Sequence, residues 1–225
     1  IVSIILANIL APEQFGLVGM VAIFVTLGNS LMDSGFSGAL IRKSDVTDKD
    51  LSTVFYTNLA LGAGIYAILY AISPWVASFL GYEILTKLLR VLSLSVIIVS
   101  FTQVQKVNFI RKIDFKTQAI ISLIAAVTSG VASIWMALTG WGVWALVAQQ
   151  LSKQAMISIL LWVFSSWKPS LVFSVRSFRE MFNFGSKLLA SSLNSTMWNE
   201  IYSFVIGKMY NPVQVGYFVR ADKFK

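Results

Sequence analysis

Long stretches without a charged side chain constrain this sequence more than any other feature does. Residues 51–82 and 117–152 contain no Asp, Glu, Lys or Arg, and residues 14–32 are likewise free of charge. A helix needs about 20 mostly apolar residues to cross the hydrocarbon core of a bilayer. Each run is long enough for one crossing, and the run 117–152 is long enough for two. The sequence therefore predicts an all-α integral membrane protein.

The composition supports a membrane protein and excludes several kinds of chemistry. Hydrophobic residues make up 56% of the chain and charged residues 12%, whereas a soluble domain has about 25% charged residues. The chain contains no cysteine and no histidine. Disulfides, thiolate chemistry, imidazole catalysis and zinc sites built from these residues are therefore excluded. We expect no cofactor, no bound metal and no enzymatic activity.

Turn signals between the apolar runs predict where the helices begin and end. The glycines of "TGWG" at 139–142 allow a tight turn between two helices. "IVSIILANIL" is too short to span a bilayer and is predicted to be a truncated first helix. The following helices are predicted at Phe15 to about Met32, at about 51–72 with an interfacial loop at Pro74 and Trp75, at about 84–105, 117–138, 143–164 and 183–206, and from Gln214 onward.

These boundaries predict a fragment of a larger bundle. Residues 1–165 form an N-terminal lobe of six helices, residues 166–182 an amphipathic cytoplasmic linker, and residues 183–225 the start of a C-terminal lobe. The loops after helices two, four and six hold most of the Lys and Arg residues, so the positive-inside rule places them in the cytoplasm. The net charge of +8 is explained by this bias and by anionic membrane lipids. A nucleic-acid partner is excluded because no soluble domain carries a basic face.

Two short segments have more than one interpretation. "SLVFSVRSFREMF" at 170–182 has an apolar face opposite Arg176 and Arg179, which is typical of a helix lying in the membrane interface. The alternative is a cytoplasmic extension of helix seven. "TDKD" at 47–50 resembles the Asp-x-Asp motif of sugar-nucleotide enzymes. Thr47 is better explained as an N-cap with acidic residues in the first turn of helix three.

The sequence contains an internal repeat. "APEQFGLV" at 11–18 and "NPVQVGYF" at 211–218 share Pro-x-Gln-x-Gly, at an offset of 200 residues. Both copies link the end of one hydrophobic helix to the start of the next on the non-cytoplasmic side. We therefore predict two parallel repeats of six helices, related by an axis along the membrane normal, with a substrate site between them.

Several motifs in order resemble a known family. They are "PEQFGLVGM", "DSGFSGALIRKSD", "DLSTVFYTNLALG", "LLRVLSLS", "FIRKIDFK", "GWGVWALVAQQL" and "FNFGSKLLASSLN". They are similar to the polysaccharide transporter branch, the O-antigen and exopolysaccharide flippases, of the multidrug/oligosaccharidyl-lipid/polysaccharide exporter superfamily. The resemblance implies two six-helix lobes around a central cavity and alternating access. It also implies transport of an undecaprenyl-diphosphate-linked oligosaccharide across the bacterial inner membrane, with polysaccharide polymerase and export machinery as partners.

A lysine at the centre of a predicted membrane helix is the first candidate site residue. "WALVAQQLSKQAMISILLW" at 144–162 has a tryptophan at each end and Lys153 in the middle. A buried cation at the bilayer centre costs roughly 2.5–3.5 kcal/mol on insertion scales, so it usually faces water or a partner. We expect Lys153, Gln149 and Gln150 to face the central cavity. There Lys153 attracts the diphosphate and the glutamines bind sugar hydroxyls. The alternatives are that Lys153 pairs with a group within the bundle or with an acidic group in the second half of the full-length protein.

Other polar residues at membrane depth complete the candidate site. Arg90 is suited to bidentate binding of phosphate, or it snorkels to the outer interface. Glu200 contacts substrate, pairs with a cation or takes part in proton coupling. The remaining candidates either contact substrate or hydrogen-bond between helices: Asn58, Asn194, Asn29, Asp33 and Asn199.

Two other functions compete with the flippase. An exporter of small cations would need an acidic cavity, whereas the central charges here are mostly basic. A membrane glycan transferase would need a general base or a metal site, and no loop is long enough to form a domain.

Overall fold

A computed structural model of the chain describes residues 2–222, apart from the side chains at positions 33, 34, 189, 199, 200 and 222. All regular secondary structure within these residues is helical, which confirms the all-α prediction. The helices are α1 (Val2–Ile9), α2 (Pro12–Ser34), α3 (Phe36–Arg42), α4 (Asp48–Leu80), α5 (Ile84–Leu92), α6 (Leu94–Ser100), α7 (Gln103–Arg111), α8 (Phe115–Leu138), α9 (Val143–Phe164), α10 (Val175–Met209) and α11 (Pro212–Asp222).

Several of these helices are long and apolar enough to cross a membrane. By length and composition they are the segment Pro12–Arg42 that joins α2 and α3, helix α4 and helix α8. Helices α5 to α7 form a fourth span if they are counted together, with a 46° bend before α7. The predicted helices five and six agree with α8 and α9 to within two residues. Between them Gly140 and Gly142 have φ values of 83° and 55°, so glycine is favoured at both turn positions.

The two ends of the bundle differ in charge. Arg42 ends α3, Arg111 ends α7, and Lys43 and Lys112 follow them. We call this end of the bundle the basic end, and the end at which α2 and α11 begin the opposite end. The Arg111 guanidinium donates hydrogen bonds to the backbone carbonyls of Lys43 and Ser44. It also donates to the Leu40 carbonyl at 2.7 Å, which is one of the last four carbonyls of α3 and therefore has no partner within the helix.

Helix α4 continues through Pro74, so the predicted end at residue 72 and the interfacial loop are wrong. A proline inside a helix removes one backbone hydrogen bond, here the bond that would reach the carbonyl of Tyr70. The Ser73 hydroxyl donates to that carbonyl instead, at 2.8 Å. The helix then ends at Gly81, which adopts the left-handed conformation with φ at 85° that favours glycine at a C-terminus.

The predicted helix four is broken, which the sequence analysis did not anticipate. Its residues form α5 and α6, which meet at Ser93, and the segment bends by 46° before α7. The Thr102 hydroxyl donates to the carbonyl of Val99 at 3.0 Å beside the bend. Ser and Thr hydroxyls that bond back to the preceding turn often bend helices. Neither glycine nor proline marks this break, so the turn signals missed it.

Helix α10 begins at Val175 and continues without interruption to Met209. The separate interfacial helix predicted at 170–182 is therefore wrong, and the alternative, an extension of helix seven, is observed. The extension packs on α3 because Met181 is buried and the rings of Phe36 and Phe178 stack at 5.6 Å. Two glycines further along α10 also lie in close contacts. A Cβ on Gly185 would lie 2.8 Å from the Gly35 carbonyl oxygen, and a Cβ on Gly207 would lie 2.7 Å from the Met20 side chain.

The interpretation of "TDKD" as a helix start is confirmed. The Thr47 hydroxyl accepts a hydrogen bond from the Asp50 backbone N–H, and the Asp50 carboxylate accepts one from the Thr47 N–H. This reciprocal pair is a capping box. The buried Asp50 carboxylate also lies 3.2 Å from the Lys43 ammonium group.

Lys43 joins this helix start to α10. Its ammonium group lies 3.2 Å from Asp50 and 3.2 Å from Glu180. Desolvation lowers the pKa of Lys43, but the hydrogen bonds and Coulombic attraction of both carboxylates outweigh it and raise that pKa. The stabilisation is thus complete below the ordinary lysine pKa and is lost only as the pH rises through the raised value. At neutral pH Lys43 is therefore charged.

Candidate functional site

A cavity with both polar and apolar walls lies among five helices, in the half of the bundle nearer the basic end. Its volume is about 250 Å³. Helices α2, α7, α8 and α9 contribute polar groups to it, and α6 contributes an apolar wall. The lining consists of Asn29, Val99, Thr102, Gln103, Lys106, Gln118, Ile121, Ser122, Gln154, Ile157 and Leu161.

The lining is chemically suited to hydroxyl and phosphate groups. Four carboxamides face the cavity, and each can both donate and accept hydrogen bonds. The Ser122 hydroxyl can do the same. The Thr102 hydroxyl donates to the Val99 carbonyl and can still accept a hydrogen bond, and the Lys106 side chain adds a positive charge. The cavity therefore matches a neutral or anionic polyol better than it matches a cation.

The bend before α7 helps to form this cavity. Three lining residues come from this bend: Val99 near the end of α6, Thr102 between the two helices, and Gln103 at the start of α7. The Gln103 carboxamide oxygen also accepts a hydrogen bond from the buried Ser37 hydroxyl at 3.5 Å. The break in the predicted helix four thus turns polar side chains of α7 toward α8 and α9.

In the part of the chain that the structure describes, Asn29 presents an unpaired hydrogen-bond acceptor at the cavity. Its carboxamide oxygen is buried and has no hydrogen-bond partner among the described residues. A buried acceptor left without a partner costs about 1–3 kcal/mol. Water needs a polar space of at least about 10–15 Å³ to enter, and the cavity exceeds this. A water molecule or a ligand hydroxyl in the cavity is therefore positioned to donate to Asn29.

Lys153 lies on α9 next to this cavity but does not line it. Its side chain is exposed, as is that of Gln150, and Gln149 is half-buried. The following residue, Gln154, does line the cavity. Among the described side chains none forms an ion pair with Lys153. The predicted orientation of Lys153 toward a central passage stays a prediction.

Arg90 is held by α4. Its Nε donates to the Ser73 hydroxyl at 2.9 Å, and its guanidinium carbon lies 4.1 Å from the centroid of the Tyr70 ring. Ser73 in turn donates to the Tyr70 carbonyl that Pro74 leaves unpaired. The three side chains therefore form one network that supports α4 at its proline.

The network predicts coupled effects on stability. Ser73→Ala and Arg90→Gln should each lower the free energy of unfolding by about 1–3 kcal/mol, because each leaves a polar group without its partner. In combination they should be non-additive by at least about 0.5 kcal/mol. Thermal unfolding of the full-length protein in detergent measures this, with Lys87→Ala, an exposed change on the same helix, as the control. Additive losses would show that the two side chains act independently.

The other predicted site residues whose side chains are described do not line this cavity. Asn58 is buried in α4, and neither atom of its carboxamide has a hydrogen-bond partner among the described residues. Asn194 is exposed on α10. The side chains of Glu200, Asp33 and Asn199 lie outside the described residues.

The sequence analysis missed most of the cavity. The predicted helix four ends at about 105, which leaves Lys106 in the loop that follows, and Gln103, Gln118 and Ser122 are not among the candidate residues. One signal was available: Gln103, Gln105 and Asn108 make 103–108 more polar than the preceding apolar stretch 96–101. Gln105 is also buried without a partner for its carboxamide among the described residues.

Comparison with known proteins identifies the family. The family model described as "Polysaccharide biosynthesis protein" matches residues 5–225. The chain belongs to this family. The motif resemblance described in the sequence analysis is thereby confirmed, and the chain is a multi-pass membrane protein.

Several curated proteins are similar to the chain. It is 29% identical over 83% of its length to the teichuronic acid biosynthesis protein TuaB of Bacillus subtilis. It is 26% identical over 98% of its length to the succinoglycan biosynthesis transport protein ExoT of Rhizobium meliloti. It is 23% identical over 91% of its length to the lipopolysaccharide biosynthesis protein WzxC of Escherichia coli. The chain spans 39%, 44% and 42% of these three relatives, respectively.

A solved structure shares the fold. It is described as an inward-facing conformation of a multidrug resistance MATE family transporter of the MOP superfamily. The TM-score is 0.67 at 18% sequence identity, over 99% of this chain and 56% of the other. The likeness establishes the helical arrangement.

Proposed function

We propose that the full-length protein is a flippase for an undecaprenyl-diphosphate-linked oligosaccharide in the bacterial inner membrane. The observation that carries this proposal is the cavity, lined in part by polar side chains, in a chain of a polysaccharide biosynthesis family. Its carboxamides and hydroxyls suit sugar hydroxyls, and the positive charge of Lys106 suits an anionic group. Two relatives named for transport and lipopolysaccharide biosynthesis support the same assignment.

The proposed orientation places the basic end in the cytoplasm. Arg42, Lys43, Arg111 and Lys112 gather there, and short cytoplasmic loops carry the excess of Lys and Arg. The cavity then lies nearer the cytoplasmic leaflet, where the lipid-linked oligosaccharide would enter. Lys153, exposed on α9 beside the cavity, is proposed to attract the diphosphate as the carrier passes. Gln149, Gln150, Arg90, Asn58, Asn194 and Glu200 remain proposed substrate contacts.

Alternating access completes the proposed mechanism. Two repeats that rock about the substrate site would expose it first to one leaflet and then to the other. The enclosed space between such repeats would shield the sugar from the hydrocarbon core. A cation exporter is a weaker proposal, because the charged side chain in the cavity is a lysine.

A deletion strain tests the proposed function. Without the gene, complete lipid-linked oligosaccharide should accumulate and remain inaccessible to a membrane-impermeant oxidant added outside the inner membrane. The full-length gene should restore both accessibility and surface polysaccharide. An oligosaccharide that lacks a sugar would indicate a transferase instead. A complete oligosaccharide that reaches the outer leaflet at the normal rate in the deletion strain would contradict the proposal.

A further inference from the structure

The two copies of Pro-x-Gln-x-Gly occupy equivalent places in the structure. Pro12 begins α2 and Pro212 begins α11, each in the first helical turn at the opposite end of the bundle. Proline is well suited to this position because the missing N–H would have no partner there. The α11 copy is capped by Asn211, whose side-chain oxygen accepts a hydrogen bond from the Gln214 N–H at 3.0 Å.

The two copies also touch each other reciprocally. A Cβ on Gly16 would overlap the carbonyl oxygen of Pro212, and a Cβ on Gly216 would overlap the carbonyl oxygen of Pro12. The glycine of each copy thus contacts the proline of the other copy. Reciprocal contacts of this kind are produced by a two-fold axis, which agrees with the repeat predicted from the sequence.

Neighbouring side chains extend the contact between α2 and α11. A Cβ on Gly19 would lie 2.7 Å from a methyl group of Val219 and 3.1 Å from one of Val215, which is fully buried. The Arg220 guanidinium donates to the Leu10 carbonyl at 2.5 Å and lies 4.5 Å from the centroid of the Phe15 ring. The packing leaves no room at this crossing for a side chain on Gly16 or Gly216.

We propose that this reciprocal glycine contact is the seal that closes the opposite end of the transport path, and that it separates and re-forms once in each cycle. The inference rests on the proposed flippase function. Any route to the opposite leaflet must pass between the two repeats, and here their backbones are in direct contact. Close glycine packing in a membrane depends on van der Waals contacts and weak Cα–H···O bonds. Such contacts exclude water when closed, and when they separate the Arg220 guanidinium exchanges the Leu10 carbonyl and the Phe15 ring for water.

A disulfide across the contact tests whether it must open. The ideal Cβ of Gly19 lies 3.9 Å from the Cβ of Val219, within the usual range for a disulfide. The chain has no cysteine of its own. In the full-length protein, cleared of any cysteine elsewhere, the oxidised Gly19→Cys/Val219→Cys variant should lose export and a reductant should restore it. The matched control, Gly130→Cys/Val2→Cys, joins α8 to α1 with a Cβ separation of 3.7 Å and should export in both states.

Added bulk at the contact gives a second, independent measurement. Gly16→Ala and Gly216→Ala overpack the closed contact and should shift the equilibrium toward the open form by roughly 5–150-fold. A reporter Ser30→Cys, whose hydroxyl lies 2.9 Å from that of Thr196 between α2 and α10, should then react faster with an impermeant maleimide added at the opposite end. Gly64→Ala, where no atom lies within 4 Å of the added Cβ, should leave the rate unchanged.

The two measurements separate the seal from the proposed function. Full export by the oxidised Gly19→Cys/Val219→Cys protein would overturn the seal and leave the flippase intact. An unchanged maleimide rate in both alanine variants would also overturn it. If the reduced Gly19→Cys/Val219→Cys protein fails to export, the disulfide gives no test, and the maleimide rates of the alanine variants alone decide whether this contact is the seal. If the unmodified protein moves no lipid-linked sugar, the flippase proposal fails, whereas the maleimide rates still report whether this contact controls access.

Discussion

Replacing Asp50 with alanine is expected to lower the free energy of unfolding by about 3 kcal/mol. The loss of an N-terminal capping interaction costs about 1 kcal/mol, and a hydrogen bond to a charged group contributes about 1.5–3 kcal/mol. Asp50 makes both interactions, since its carboxylate accepts from the Thr47 N–H at 3.0 Å and lies 3.2 Å from the Lys43 ammonium group. Its burial keeps water from replacing these partners.

Thermal unfolding of the full-length protein in detergent measures this effect. Asp48→Ala is the matched control, because Asp48 is an exposed carboxylate in the same helical turn. A surface change of that kind usually alters stability by no more than about 0.5 kcal/mol. Lys43→Ala should resemble Asp50→Ala, since it leaves the buried carboxylate without its cation. Equal melting temperatures for Asp50→Ala and Asp48→Ala would mean that the buried network contributes nothing.

Lys153→Ala is expected to reduce polysaccharide export by about tenfold or more at normal protein levels. The expected factor follows from the loss of a hydrogen bond to a charged group, which contributes about 1.5–3 kcal/mol. Lys153 lies at the centre of α9, and no partner among the described side chains explains its presence there. Lys153→Arg should retain part of the export, because the charge is kept and the shape is not.

Export and protein abundance should be measured together for these variants. Lys116→Ala is the control, because Lys116 is an exposed lysine in the first turn of α8, at the end of a helix rather than at its centre. It should export normally. Full export by Lys153→Ala would remove Lys153 from the mechanism, and a proportional fall in protein level would assign it a structural role.

The helices that the sequence predicts well are those with strong signals at both ends. Helices α8 and α9 are bounded by charges and by the glycines at 140 and 142, and their limits were predicted to within two residues. Helix α4 was predicted too short because Pro74 normally ends a helix. Only the structure shows that the Ser73 hydroxyl reaches the carbonyl that the proline leaves unpaired. The start of α10 was misplaced for a similar reason, because its packing on Phe36 is a tertiary contact.

The candidate site was less accessible to sequence reasoning than the fold. A single cation in an apolar run, such as Lys153, is a local signal that one sequence can reveal. The cavity has no local signal, because it forms where Asn29, Gln103, Gln118 and Gln154 meet from four different helices. Its position depends on the bend before α7, which neither glycine nor proline marks. The repeat of Pro-x-Gln-x-Gly was visible in the sequence, but the contact between its two copies was not.

The uninterrupted course of α10 has a mechanical consequence. Its 35 residues give a rod about 52 Å long at 1.5 Å per residue, well beyond the roughly 30 Å of a bilayer core. The rod contacts Gly35, between α2 and α3, at Gly185 and contacts α2 at Gly207. These two points are separated by about six helical turns. Because the helix is stiff, a small tilt about a point between these two contacts would widen the gap at one of them and narrow it at the other.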